Sequence, residues 1–166
     1  MSLSLEKLLD ATGRRILRAL QENARASFSE IGRAVGLSTP AVAERVHRME
    51  EVGLITGYRA EIDAQKLGLS LTAFIRLRSS PDKYPRILAL VDGMPEVLEC
   101  YHVTGDESFV LKVIAATPAH LGALIDRFSP YGHTATSIVL STPLKARAVD
   151  CAAPDGGERP AMKSPG

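Results

Sequence analysis

Ser38-Thr39-Pro40-Ala41-Val42-Ala43-Glu44-Arg45-Val46-His47-Arg48-Met49 is the stretch on which the fold turns. Val42, Val46 and Met49 recur at i, i+4 and i+7, so one face of a helix packs inward. Thr39, Pro40, Glu44, Arg45, His47 and Arg48 are left outside or flanking. Ser38 can cap the start by accepting from amides of the first turn, where a proline at position 40 does little harm. The outer face then carries hydroxyls and guanidiniums, the groups that meet phosphates and base edges. A charged helix face is usually just a solvated one, so the neighbours decide. Upstream, Ser27 and Glu30 have capping-box spacing ahead of Ile31, Ala34 and Val35. Gly36 suits a left-handed helix end, and Leu37 plugs the turn before Ser38. Two helices joined by a tight Gly-containing turn predict a helix-turn-helix, with 39–49 as its second helix.

Working outward, Asp10 is a cap for an earlier helix carrying Ile16, Leu17 and Leu20, ended by Asn23-Ala24-Arg25. Gly13 within that helix should cost about 1 kcal/mol relative to alanine. Three helices thus form a head over residues 5–60. Leu54 to Ile62 has the β-branched content of a strand, either a wing or an arm towards the next domain. Residues 61–70 read as a linker broken by Gly68.

From Leu71 the pattern changes. Leu71–Ser79 reads as a strand, and Pro81 opens a helix carrying Tyr84, Ile87, Leu88 and Val91. Val97–Val103 and Phe109–Ala116 are strands joined by a hairpin at Gly105-Asp106. Pro118 starts a helix with Leu121, Leu124, Ile125 and Phe128 on one face, and His133–Ser141 is a fourth strand. The order β-α-β-β-α-β is the ferredoxin-like plan, giving an α+β body over residues 71–145. Both helices must cover one face of that sheet, yet Phe74, Val110 and Ile114 are apolar on the other, which invites a second copy. Residues 146–166 are rich in Ala, Pro and Gly and read as a flexible tail.

Composition narrows the function classes. The 166 residues carry 20 basic and 19 acidic side chains. Residues 1–60 hold nine basic and seven acidic ones, a surplus of two. A monomer of that charge binds DNA weakly, and oligomerisation would multiply the contacts. Cys100 and Cys151 have no metal-type spacing and point to a reducing compartment. No apolar run reaches membrane-spanning length, and no secretory signal pattern is present. His47, His102, His120 and His133 have no ligand spacing, so no metal and no cofactor is expected.

Taken together, a three-helix head, an extended connector and a β-α-β-β-α-β body resemble the Lrp/AsnC family of bacterial and archaeal transcription regulators. The residues carrying the resemblance are Leu9-Asp10, Ile16-Leu17, Asn23-Ala24-Arg25, Gly36-Leu37-Ser38, Arg45-Val46, Arg48-Met49-Glu50 and Gly53-Leu54-Ile55-Thr56-Gly57-Tyr58. In the body they are Cys100-Tyr101-His102-Val103-Thr104-Gly105-Asp106 and Leu111-Lys112-Val113. The resemblance implies a cytoplasmic, nucleoid-associated protein that binds double-stranded DNA as a homodimer assembling to tetramers or octamers. It also implies an amino-acid effector held between dimers. The candidate DNA-contacting set is Ser27, Ser38, Thr39, Pro40, Glu44, Arg45 and Arg48; of these, Ser38, Thr39, Arg45 and Arg48 match the family's contact positions. The candidate effector-binding set is His102, Thr104, Gly105, Asp106, Ser108 and Thr136. There a glycine lets backbone N–H groups approach a carboxylate, and an acid can hold an ammonium. The family loop often has a second acid before its aromatic, whereas Ser108 precedes Phe109 here and Glu107 is displaced by one position. Two alternatives stay open: a sirohaem-decarboxylase-like enzyme on the same fold, and a DNA-organising protein without an effector.

Overall fold

The computed structural model describes residues 3–145 and 147–151, with Leu3 and Ser4 described for backbone only. The chain divides into two compact units. One is built on the residues up to Ala60 together with those described after Lys145; the other is Glu61–Lys145. Among the described residues no helix is long and apolar enough to cross a membrane.

The first unit holds α1 (Leu3–Leu8), α2 (Ala11–Glu22), α3 (Phe28–Val35) and α4 (Thr39–Glu51). Each of the three longer helices starts on a side-chain cap: Asp10 accepts from Gly13 N, Ser27 from Glu30 N and Ser38 from Ala41 N. Ser27 and Glu30 complete a reciprocal capping box. Gly36 ends α3 at φ 81°, a left-handed conformation that costs a side-chain-bearing residue and lets α4 turn back at once. Ile16, Leu20, Ile31, Val35, Val42 and Val46 then meet in one core. Leu8, Leu17 and Met49 form an adjoining one, anchored by α1, a helix that the spacing around Asp10 did not predict.

Residues after Gly53 depart from expectation. Leu54–Ile62 forms no strand, so the expected strand and wing are absent among the described residues. Leu54 N and Ile55 N both donate to Met49 O, folding the arm's start onto the end of α4, after which no neighbouring strand offers a ladder.

The second unit is a four-stranded antiparallel sheet of order β2-β3-β1-β4 with two helices. Its elements are β1 (Leu71–Ser79), α5 (Tyr84–Asp92), β2 (Val97–His102), β3 (Phe109–Ala115), α6 (Pro118–Phe128) and β4 (Gly132–Ile138). This is the expected ferredoxin-like body, with β4 ending three residues earlier than foreseen. Ala73, Ile75, Leu77, Leu111, Val113 and Phe109 pack with Ile87 of α5 and with Leu121, Leu124 and Phe128 of α6. Both helices therefore cover one face. Each large side chain buried there contributes about 1.5–3 kcal/mol. The open face is more polar than the alternation suggested, since Phe74, Val110 and Ile114 are interleaved with Arg76, Arg78, Glu99 and Lys112. Lys112 Nζ and Glu99 Oε1 pair there at 2.9 Å.

The expectation of a flexible tail lies, for Ala146 and residues 152–166, outside the described residues. Residues 147–151 are described and hydrogen-bond to α2.

Candidate functional site

Helix α4 presents what its sequence requires. Val42, Val46 and Met49 are buried completely or nearly so, and Ser38, Thr39, Pro40, Glu44, His47 and Arg48 are exposed. The Ser38 hydroxyl accepts from Ala41 N at 3.4 Å, which leaves its own proton free to donate outward. An exposed helix N-terminus flanked by hydroxyls is suited to a phosphate.

The expected contact residues do not form one equivalent set. The two terminal nitrogens of Arg45 fork onto the Asp10 carboxylate at 3.0 and 2.9 Å. Asp10 at the same time caps α2, so Arg45 ties α4 to the start of α2. The Arg45 bond and the Gly13 N–H together hold the Asp10 carboxyl below its ordinary range. Arg45 is thus a brace first, with less of its guanidinium left for DNA. Arg48 Nε pairs with Glu44 Oε1 at 2.7 Å, one helical turn away, and both side chains are well exposed. A phosphate can compete with that pair, since exposed pairs hold by about 1 kcal/mol or less. Ser27 is spent: its single proton goes to Glu30 Oε2 at 2.8 Å, and its oxygen accepts from Glu30 N. At the far end of α4, His47 lies 3.2 Å from Glu51, and the Tyr58 hydroxyl donates to Glu50 at 2.8 Å. Burial, followed by that carboxylate, pushes the Tyr58 phenol up to about 12.

One cation escapes a reading of the sequence alone. Lys7 of α1 joins Leu8, Ala41, Glu44, Arg45 and Arg48 around a cleft of about 380 Å³. The signal is present in Leu5, Leu8 and Leu9, whose helical spacing places an extra turn before Asp10.

In the body, the β2–β3 loop brings Thr104, Gly105 and Asp106 together at the surface, all exposed. Gly105 has φ 110°, a conformation that favours glycine. Arg78 Nε donates to the Asp106 carbonyl at 3.0 Å, and its Nη2 lies 3.6 Å from the carboxylate. The remaining three members of the expected effector set lie elsewhere. Ser108 is buried and its hydroxyl is committed, donating to Ser79 O at 2.9 Å and accepting from Ser79 N at 3.1 Å. His102 pairs with Phe109 across β2–β3, on the face that α5 and α6 cover. Its ring stacks on Phe109 and meets Tyr84 edge-on, with centroids 5.0 and 5.1 Å away. Thr136 opposes Ile75 on β4, at the opposite edge of the sheet. Three strand spacings separate β2 from β4, about 14 Å, too far for one free amino acid to touch both His102 and Thr136 of the same chain. Within one chain, Thr104, Gly105 and Asp106 lie together in the loop, and Thr136 lies on the far edge of the sheet from them.

A tight helix-turn-helix with an exposed second helix, followed by a ferredoxin-like unit, defines a helix-turn-helix protein with an α+β companion domain. The AsnC-type helix-turn-helix domain matches residues 9–50, and the Lrp/AsnC ligand binding domain matches residues 72–149. This chain belongs to the Lrp/AsnC family. It is 39% identical over 134 residues to the uncharacterized HTH-type transcriptional regulator YezC of Bacillus subtilis, covering 81% of this chain and 95% of that relative. With the regulatory protein AsnC of Escherichia coli it shares 35% identity over 143 residues, 82% of this chain and 93% of AsnC. Among solved structures, LrpC of B. subtilis is similar with a TM-score of 0.79 at 29% identity, covering 88% of this chain and 100% of LrpC. A feast or famine regulatory protein from M. tuberculosis, complexed with L-methionine, is similar with a TM-score of 0.76 at 35% identity, over 84% of this chain and 97% of that one.

Proposed function

We propose that this chain is a sequence-specific DNA-binding transcription regulator that acts as a homo-oligomer and responds to an amino acid or a related small metabolite. The observation that carries the reading is the N-terminal turn of α4: Ser38, Thr39 and Pro40 stand exposed above a buried Val42-Val46-Met49 stripe. That turn offers hydroxyls and amides to duplex DNA, with Lys7 beside it and Arg48 once a phosphate displaces Glu44. The relatives YezC and AsnC are named as regulators, which favours this reading over the decarboxylase alternative. The small charge surplus of the head calls for several heads per operator, and the open sheet face of the body is the surface on which copies would meet.

For the effector, the Thr104-Gly105-Asp106 loop is the seat we favour. A loop this exposed encloses nothing alone, so a second copy must close over it. Backbone amides at Gly105 suit a carboxylate, and Asp106 suits an ammonium once Arg78 is displaced or shared. The L-methionine bound by the M. tuberculosis relative makes free amino acids the class to try first.

Selection from a pool of random duplexes tests the regulator reading. Enrichment of one sequence by the unaltered protein, lost with Thr39→Ala and Arg48→Ala together, is the expected result. A pool that never departs from random overturns it. Calorimetric titration with each of the twenty amino acids, alongside light scattering, tests the effector: the expected hit loses its heat with Asp106→Ala, and no heat with any of the twenty sinks the amino-acid version. Linkage requires the effector to shift DNA affinity or assembly by the factor with which DNA or assembly shifts the effector.

A further inference from the structure

After the body ends at Lys145, the chain returns to the first unit and lies against α2. The contact is made through backbone. Val149 N donates to Gln21 Oε1 at 2.7 Å, and Gln21 Nε2 donates back to Val149 O at 3.1 Å. One side-chain amide thereby satisfies both polar groups of one residue, as a neighbouring strand would. Val149 as a whole is 75% exposed. Two residues on, Cys151 packs against the core formed by Leu8, Leu17 and Met49, its sulfur lies 3.2 Å from Gln21 Nε2, and its carbonyl accepts from Arg14. Val149 and Cys151 form part of the wall of a cavity of about 410 Å³, lined also by Leu17, Leu20 and Gln21 of α2 and by Leu54–Arg59. On the other side of the segment, Cys151 borders a hollow lined by Arg14, Arg15 and Arg18.

We propose that Arg147–Cys151 is a releasable strap, which docks on α2 of the DNA-binding head through Gln21 and masks part of an arginine patch that adds phosphate contacts when the strap leaves. This regulation rests on the DNA-binding function proposed above. The strap meets the head through hydrogen bonds and a half-buried cysteine at the rim of a core, whereas the helices beneath it share that core throughout, so the strap is the part expected to open first. While docked, it engages Arg14 at the Cys151 carbonyl, whereas Arg15, bonded to Ala34 O, and Arg18 are already exposed. On release Arg14 faces solvent beside Arg15 and Arg18.

The test breaks the contact from each side in the full-length chain. Gln21→Ala removes the amide, Val149→Pro removes the donated N–H, and the double variant combines them. N-ethylmaleimide labelling, resolved by mass spectrometry, reports Cys151, with Cys100 as the internal reference. Each single variant should raise the Cys151 rate by about tenfold, the scale of losing hydrogen bonds that hold a local opening shut, and the double variant should add nothing more. In parallel, binding of sheared duplex DNA is measured against KCl concentration. Release should steepen the log–log salt dependence by about one unit, as one more phosphate is neutralised. A wild-type Cys151 rate equal to that of the variants, or additive effects in the double variant, overturns the strap. Faster labelling with an unchanged salt slope overturns the masking. A wild-type protein that binds no duplex at any salt overturns the regulator reading instead, and the labelling then still decides the strap.

Discussion

The recognition helix and the β2–β3 loop both carry a short pattern of polar residues, and the fold treats the two differently. In α4 the capping serine, the buried stripe and the exposed turn all lie within one helix, so their arrangement follows from 3.6 residues per turn. In the loop, only the three consecutive residues Thr104, Gly105 and Asp106 stay together. Where Ser108, His102 and Thr136 fall depends on strand pairing: Ser108 bonds to Ser79, the exposed His102 stacks on Phe109, and Thr136 sits on the opposite edge strand of the same chain. Local geometry keeps neighbouring side chains together, whereas strand register decides where distant ones fall. The difference can be pressed from both sides.

The sharpest challenge to the local rule is Gly13. Helix propensity alone predicts that Gly13→Ala stabilises the head by about 1 kcal/mol. The structure reverses the sign, because a β-carbon there would fall 1.8 Å from the carbonyl oxygen of Leu8. Displacing α1 from α2 should cost about 2 kcal/mol or more, read as a lower urea midpoint for the head. A gain in stability would show that α1 contributes nothing. The counterpart in the body is Ser108→Ala. Removing that hydroxyl strands the N–H and carbonyl of Ser79 and should destabilise the body by about 1–2 kcal/mol, while DNA affinity stays within about twofold. Were Ser108 an effector ligand instead, its loss would abolish the response to effector and leave the thermal midpoint alone.

Legibility in the sequence divides along the same line. Helix-turn-helix capping, the Gly36 turn, the ββ hairpin and the βαββαβ order are all readable, because each rests on spacing between near neighbours in the chain. The Leu54–Ile62 arm reads as a strand and is not one, because β-branched content says what a segment tolerates, not whether a neighbour exists to pair with it. Arg45 misleads for another reason. An arginine on a helix surface looks the same whether it faces solvent or a carboxylate 35 positions earlier, and only the fold brings Asp10 to it. The docking of Val149 on Gln21 spans 128 positions and leaves no periodic mark at all.

That arginine pair allows a test of intermediate size. Asp10 is held below its reference value of 3.8, so its contribution to stability is full above that value and lost as pH falls through the lower folded-state value. Asp10→Asn keeps a competent cap but removes the charge. The variant should lose about 0.5–1 kcal/mol at neutral pH, discounted for a pair that is partly exposed, and should unfold with a flatter acid limb than the wild type. Parallel acid limbs for the two proteins would mean that Arg45 gives Asp10 nothing.

The smallest effect separates the two arginines from each other. Arg48 makes its one exposed pair with Glu44 on its own helix, so Arg48→Ala should change stability by less than about 0.5 kcal/mol while weakening DNA binding and flattening its salt dependence. Arg45→Ala should instead leave Asp10 unpaired and lower the urea midpoint of the head before it touches the salt slope. Measured side by side, the two variants place the brace and the contact on different residues of one helix. Equal losses of stability and of salt slope would return Arg45 to the DNA-facing role its position first suggested, and would leave the work of holding α2 against α4 to the cores around Ile16, Leu17, Val42, Val46 and Met49.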